Sequence, residues 1–202
     1  FAAIMTEDPA GRLDMIRRGL MPAAWIASIA GIMGYFDIAG TFDYFTLYGR
    51  ASGTFKDANV FGPFLVLPIA FTFQRILCGE TGPLRGLVSI SVPLFGLFLS
   101  FSRGAWGNLV AVLALIVLLL FLTSDSTRLR ARIVFITAVG FALAAAALAV
   151  ALSFDSIAQV FEVRASLNQS YDMGETGRFG NQLRSIPLLL EAPNGFGPLR
   201  FR

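Results

Sequence analysis

Apolar residues fall along this chain in five long runs separated by short polar stretches. A hydrocarbon layer about 30 Å thick needs about 20 apolar residues in a helix rising about 1.5 Å per residue. Runs near Leu20–Ile38, Ala58–Leu77, Gly86–Phe101, Ala105–Leu122 and Ile133–Phe154 qualify or nearly qualify. The pattern therefore predicts an all-α protein: a polytopic transmembrane helical bundle of about five spans over residues 1–154. The third run is short, and it can form a tight hairpin with the fourth around Ser102-Arg103-Gly104.

After Phe154 the pattern changes. Residues 155–202 are rich in charge and glycine and read as the start of a large outer loop. Within it, Phe179, Leu183, Ile186 and Leu190 recur at helical spacing, while Arg178, Gln182 and Ser185 share another face. This predicts an amphipathic outer helix ended by Pro193-Asn194-Gly195. The alanine-rich stretch 142–152 suits close helix packing through small side chains.

Basic residues in the short loops give an orientation. Arg12, Arg17 and Arg18 precede the first run, Arg75 and Arg85 flank the second loop, and Arg128, Arg130 and Arg132 fill the loop before the fifth run. With five alternating spans all three groups fall on one side, which the positive-inside rule makes the cytoplasm. The 40–57 loop, the Ser-Arg-Gly turn and residues beyond Phe154 then face outward. Trp25, Trp106 and the tyrosines of the 40–57 loop read as interfacial anchors.

Composition narrows the function. Charged residues make up 14% of the 202, against about 25% in soluble domains, too few to clothe a water-exposed globule. The net charge of +3 comes from dispersed arginines, without the basic stripe and aromatic platforms of a nucleic-acid binder. One cysteine, Cys78, excludes an internal disulfide framework and a thiolate cluster, and no histidine is available as base or metal ligand. Asp155, Glu162, Asp172 and Glu175 are too scattered to nominate as an acid/base pair or metal cage, so no metal and no cofactor are assigned. Phosphate-binding, dinucleotide and metalloprotease motifs are missing. A start at Phe1 and an end on "NGFGPLRFR" lead us to expect a piece of a longer protein.

Three outward features carry candidate chemistry. In "RASGTFKDANVFGPFLVLP", Asp57 can cap the second helix with Asn59 in its first turn, and Arg50 and Lys56 precede it. A helix N-terminus with nearby cations suits an anion. In the second, Ser102-Arg103-Gly104, a guanidinium stands beside Ser102 and Asn108. The third is the outer segment with Arg164, Arg178 and Arg184. Arginine forks match phosphate oxygens bidentately and stay charged at any physiological pH. An outer helix packed stripe-down would turn Arg178 toward the cavity of Arg103. Capping, snorkelling to headgroups and a solvated polar face are the plainer explanations of each feature alone.

Together, "GTFKDANVFGPFLVLPIAF", "FLSFSRGAWGNLVAVLALIVLLL" and "GETGRFGNQLRSIPLLLEAPNGFGPLRF" resemble, in order and spacing, the O-antigen ligase family, which includes related O-antigen and exopolysaccharide polymerases. The resemblance covers about residues 50–202. It implies a multi-pass bacterial inner-membrane glycosyltransferase, metal-independent and inverting, with its active face and the outer loop of residues 155–202 in the periplasm. Its partners would be membrane lipid, an undecaprenyl-diphosphate-linked glycan donor, and a glycolipid or glycan acceptor: the lipid A core in ligases, another lipid-linked chain in polymerases. It implies that Arg103 and Arg178, with Arg164 as a weaker match, hold the diphosphate, with Ser102, Asn59 and Lys56 in support. The family's proposed base is a histidine beyond the Gly-x-Gly element, and here it would lie past Arg202. A transporter whose arginines line a path is the alternative of another class, although no internal repeat is visible.

Overall fold

The computed structural model describes residues 8–165 and 178–192. The chain is mostly helical and divides into two compact units, one ending at Ile157 and one starting at Ala158. In order, the elements are α1 (Pro9–Tyr35), a 3-10 turn (Ile38–Gly40), α2 (Phe42–Phe45), β1 (Thr46–Leu47), β2 (Arg50–Ala51), α3 (Ala58–Cys78), α4 (Pro83–Leu99), α5 (Arg103–Thr123), α6 (Thr127–Ala151), α7 (Asp155–Ala165) and α8 (Arg178–Glu191).

Short polar residues or prolines mark the helix starts. Asp8, Asp57, Ser102 and Ser126 each accept a backbone N–H of the first turn, occupying a donor that no helical carbonyl can reach. Pro9 and Pro83 open α1 and α4, where a missing N–H costs nothing.

Among the described residues, three helices are long and apolar enough to cross a membrane: α3, α5 and α6. α4 is apolar over 17 residues and is shorter. The run expected at Leu20–Ile38 sits inside a longer helix, α1, which begins at Pro9 and is not counted among the apolar three. Its first three turns carry Arg12, Asp14, Arg17 and Arg18, joined through the Asp14 carboxylate to Arg17 and Arg18. Ile38 falls beyond α1, because Asp37 takes a left-handed backbone (φ +51°) that ends the helix.

α3 lies at the centre of the first unit, against α1, α4, α5 and α6. Its buried side chains Phe61, Leu65 and Ile69 recur every fourth residue and form one stripe. α1 packs through small buried residues: Gly31 lies against Phe61 of α3 and the Gly53 backbone, Ala27 O faces Gly53, and Ser28 faces Gly96 of α4. Gly62 serves α3 in the same way against α5: a Cβ there would lie 2.7 Å from Ala105 Cβ and 2.8 Å from Ser100 Oγ. By contrast α5 and α6 are largely exposed, with Val110, Leu122, Phe135 and Phe141 among the uncovered apolar side chains.

The two tryptophans have acceptors on α4. Trp25 Nε1 donates to Ser89 O (2.9 Å) and Trp106 Nε1 to Leu97 O (3.4 Å), so the indoles clip α1 and α5 to the α4 backbone.

One or more arginines from each of the three basic stretches gather at one end of the first unit. Arg17, Arg75 and Arg85 line a single cavity, and Arg132 Nη2 donates to Ile76 O (3.2 Å) at the C-terminal end of α3. The Ile76 carbonyl also accepts the Gly79 N–H at 3.2 Å, and a cation there complements the negative end of the helix.

In the second unit, α8 covers the predicted amphipathic stretch, with Leu183, Ile186 and Leu190 exposed. Its expected stop at Pro193-Asn194-Gly195 lies outside the described residues.

Candidate functional site

The "RASGTFKDAN" and "SFSRG" stretches meet at the end of the first unit away from the clustered arginines. Here α3 and α5 both begin. Asp57 Oδ1 accepts Asn59 N–H at 2.7 Å, which is the N-cap expected from the sequence. Ser102 Oγ accepts Ala105 N–H at 3.4 Å and caps α5. The same hydroxyl donates to Asn59 Oδ1 at 3.3 Å, so one serine caps its own helix and ties it to the next.

Arg50 completes the knot. Its Nε donates to Ser100 O at 2.8 Å and its Nη2 to Asn59 Oδ1 at 2.9 Å. A two-residue hairpin positions it: β1 and β2 pair antiparallel, Leu47 opposite Arg50, around Tyr48 and Gly49. Both turn residues have positive φ, +53° and +69°, the tight turn whose twist matches the strands. Gly53 then lets this loop lie on α1, since a Cβ at its φ of +56° would stand 2.4 Å from Ala27 O. The hairpin was not read from the sequence. Its signal was Tyr-Gly, weaker than the Asn-Gly or Asp-Gly that usually marks such a turn.

Arg103 is the first residue of α5 and is half-buried, while Lys56 is exposed. The turn that presents Arg103 is strained: Phe101 is buried with φ +45°, a left-handed backbone that costs an L-residue roughly 1–2 kcal/mol. Aromatic packing fixes it there, with ring centroids of Tyr35, Phe98 and Trp106 at 5.9, 5.7 and 6.2 Å. Residues kept in such conformations concentrate at ligand sites, where the surroundings over-determine the backbone.

Two helix N-termini, Arg50, Lys56 and Arg103 thus share one end with the Asp57 carboxylate, and Asp37 and Asp43 belong to the segment that packs there. Positive helix ends and guanidinium groups together favour an anion. Arg50 is committed to the knot through two donors, and Arg103 and Lys56 are the other cations at this end.

Comparisons with protein-family models, curated proteins and solved structures gave no match.

Of the residues the sequence nominated, Ser102, Asn59, Arg103 and Lys56 lie on the adjoining starts of α3 and α5. Arg164 falls in α7 and Arg178 opens α8, but their side chains lie outside those described, as does the expectation that Arg178 faces the cavity of Arg103.

Proposed function

We propose that this chain is part of a polytopic inner-membrane glycosyltransferase that moves a glycan from a polyprenyl diphosphate to a sugar hydroxyl at the periplasmic face. One observation carries the reading. The Ser102–Asn59–Arg50 knot brings two of the three stretches that resemble the O-antigen ligase family to one end, where two helix N-termini and Arg103 suit an anion.

In this reading the acceptor hydroxyl attacks the anomeric carbon, and the bond from that carbon to the diphosphate oxygen breaks. The electron pair leaves on the diphosphate, and the hydroxyl proton passes to a base supplied beyond Arg202. Guanidinium groups already in place stabilise the departing charge without reorganising. Arg103 does this from the turn, with Ser102, Asn59 and Lys56 in support, and the resemblance nominates Arg178 and Arg164 for the same role. The acceptor is the lipid A core in a ligase and another lipid-linked chain in a polymerase.

The membrane orientation is supported by the gathering of Arg17, Arg75, Arg85 and Arg132 at the end away from Arg103. That end is assigned to the cytoplasm and the Ser-Arg-Gly turn to the periplasm.

The test is glycan transfer by the full-length protein in membranes. Arg103→Ala is expected to lower transfer at least 100-fold with membrane abundance near normal. Arg103→Lys is expected to fail as well, because a point charge does not replace a bidentate fork. Wild-type transfer by Arg103→Ala would make Arg103 a headgroup anchor and remove the proposal's centre.

A further inference from the structure

The cavity at the arginine-rich end lies some 16 residues along α3 from Asn59, about 24 Å away at 1.5 Å per residue, and the transfer reaction has no use for it. Its volume is about 260 Å³, room for a phosphate group and several waters at about 30 Å³ each. Arg17 enters from α1, Arg75 from the last turn of α3 and Arg85 from the first turn of α4, with Thr72, Thr81 and Ser89 among the other lining residues.

The charges around it do not balance. Glu80 is the one carboxylate in the lining, and it accepts from Arg75 Nε at 3.0 Å. Arg17 pairs with Asp14, a carboxylate it shares with Arg18. No carboxylate among the described residues pairs with Arg85. Cations that converge without matching carboxylates repel one another, and an anion between them removes that cost. The start of α4 adds to the demand: its cap, Gly82, offers no side-chain acceptor, and both Gly82 and Arg85 face the cavity.

We propose that this cavity is a binding site for a phosphate group, held between the guanidinium groups of Arg85, Arg75 and Arg17 at the opposite end of the helices from the Ser-Arg-Gly turn. The phosphate is either that of an anionic lipid headgroup or a free phosphate or diphosphate. Arginine forks and a helix start select its chemistry in both cases. Basic pockets between membrane helices on the cytoplasmic side take lipid headgroups in the same way.

The test uses the full-length protein purified in a neutral detergent. In one arm inorganic phosphate or pyrophosphate is titrated in. In the other, phosphatidylglycerol is added as mixed micelles against a phosphatidylcholine control. Binding is read from adducts in native mass spectrometry and from the fluorescence of Trp25, tied to the cavity wall through Ser89, in a variant where every other tryptophan of the full-length protein, Trp106 included, is replaced by phenylalanine. Saturable binding weakened at least 10-fold by Arg85→Gln, and little affected by Arg128→Gln, is the expected result. Arg85 and Arg128 are both exposed, and Arg128 is not in the lining, so neither change disturbs the packed interior. A response to the inorganic anions identifies a free-phosphate site, and a response to phosphatidylglycerol alone identifies a headgroup site. If no probe binds, or if the two glutamine variants weaken binding equally, the cavity is not a phosphate site and its arginines act only through general surface charge.

Discussion

The Ser102 hydroxyl donates to the Asn59 side-chain oxygen at 3.3 Å, across 43 residues of chain. Because Ser102 caps α5 and Asn59 stands in the first turn of α3, this one bond sets the relative height of two helix starts. Arg50 grips the same oxygen from a hairpin, so three separate segments share one acceptor.

That sharing predicts coupling. Ser102→Ala and Asn59→Ala should each destabilise the detergent-solubilised protein by about 1 kcal/mol, the net worth of a hydrogen bond or a cap. The double variant should lose less than the sum, since residues in one network are not additive. Thermal unfolding of the four proteins gives the coupling, and strict additivity would mean the contact carries no energy.

Gly62→Val should separate α3 from α5, since the nearest atoms already stand under 3 Å from where its Cβ would go. Overpacking of this kind costs typically 1–3 kcal/mol. A midpoint of unfolding equal to wild type would show that Ala105 and Ser100 yield freely.

Ser28 offers the opposite case. Its hydroxyl is wholly buried, faces Gly96 and has no hydrogen-bond partner among the described residues. An unmet buried donor costs about 1–3 kcal/mol, so Ser28→Ala should leave stability unchanged or raise it. Clear destabilisation would point to an acceptor that this hydroxyl meets in the membrane.

Orientation can be checked with single cysteines in a background from which Cys78 and any other cysteine of the full-length protein have been removed. Tyr48, highly exposed at the hairpin tip, should label from the periplasm, and Ser126, exposed in the loop before α6, should not. The reverse pattern would invert the proposed topology.

The acid limb of stability should report on Asp14. The hydrogen bond from Arg17 holds its carboxyl below the usual carboxylate range; burial works against this, and Arg18 adds to the lowering. A carboxylate lowered in the folded state contributes above its unfolded pKa, about 3.9, and loses that contribution as pH falls through the native value. The difference in melting temperature between wild type and Asp14→Asn should therefore be steady near neutrality and shrink at and below about pH 4. A difference that persists at pH 2 would assign the effect to packing.

Helix positions were legible because apolar runs, caps and prolines are local signals. Asp57 capping α3 and the turn at Ser102 follow from a few adjacent residues. Where α1 begins was not legible from hydropathy, since its first three turns are charged and are fixed by the Asp8 cap and the Asp14 ion pairs. The role of Arg50 was hidden for another reason. Its acceptors lie 50 and 9 residues away, and only the hairpin and the Ser100 turn bring them to it. Phe101 gave no sequence signal either, because nothing about a phenylalanine suggests a left-handed backbone.

The peripheral position of α5 and α6 has a consequence for how the protein is made. All three helices of the packed centre, α1, α3 and α4, are translated by Leu99, and the last residue of α6 is Ala151. At about 5–20 residues per second, ribosomes deliver the remaining stretch over several seconds. The nascent chain therefore holds a complete centre before its most lipid-like helices arrive. When α6 joins, Arg132 adds a second donor to the Ile76 carbonyl that the Gly79 N–H already reaches, over a helix end closed earlier in the chain.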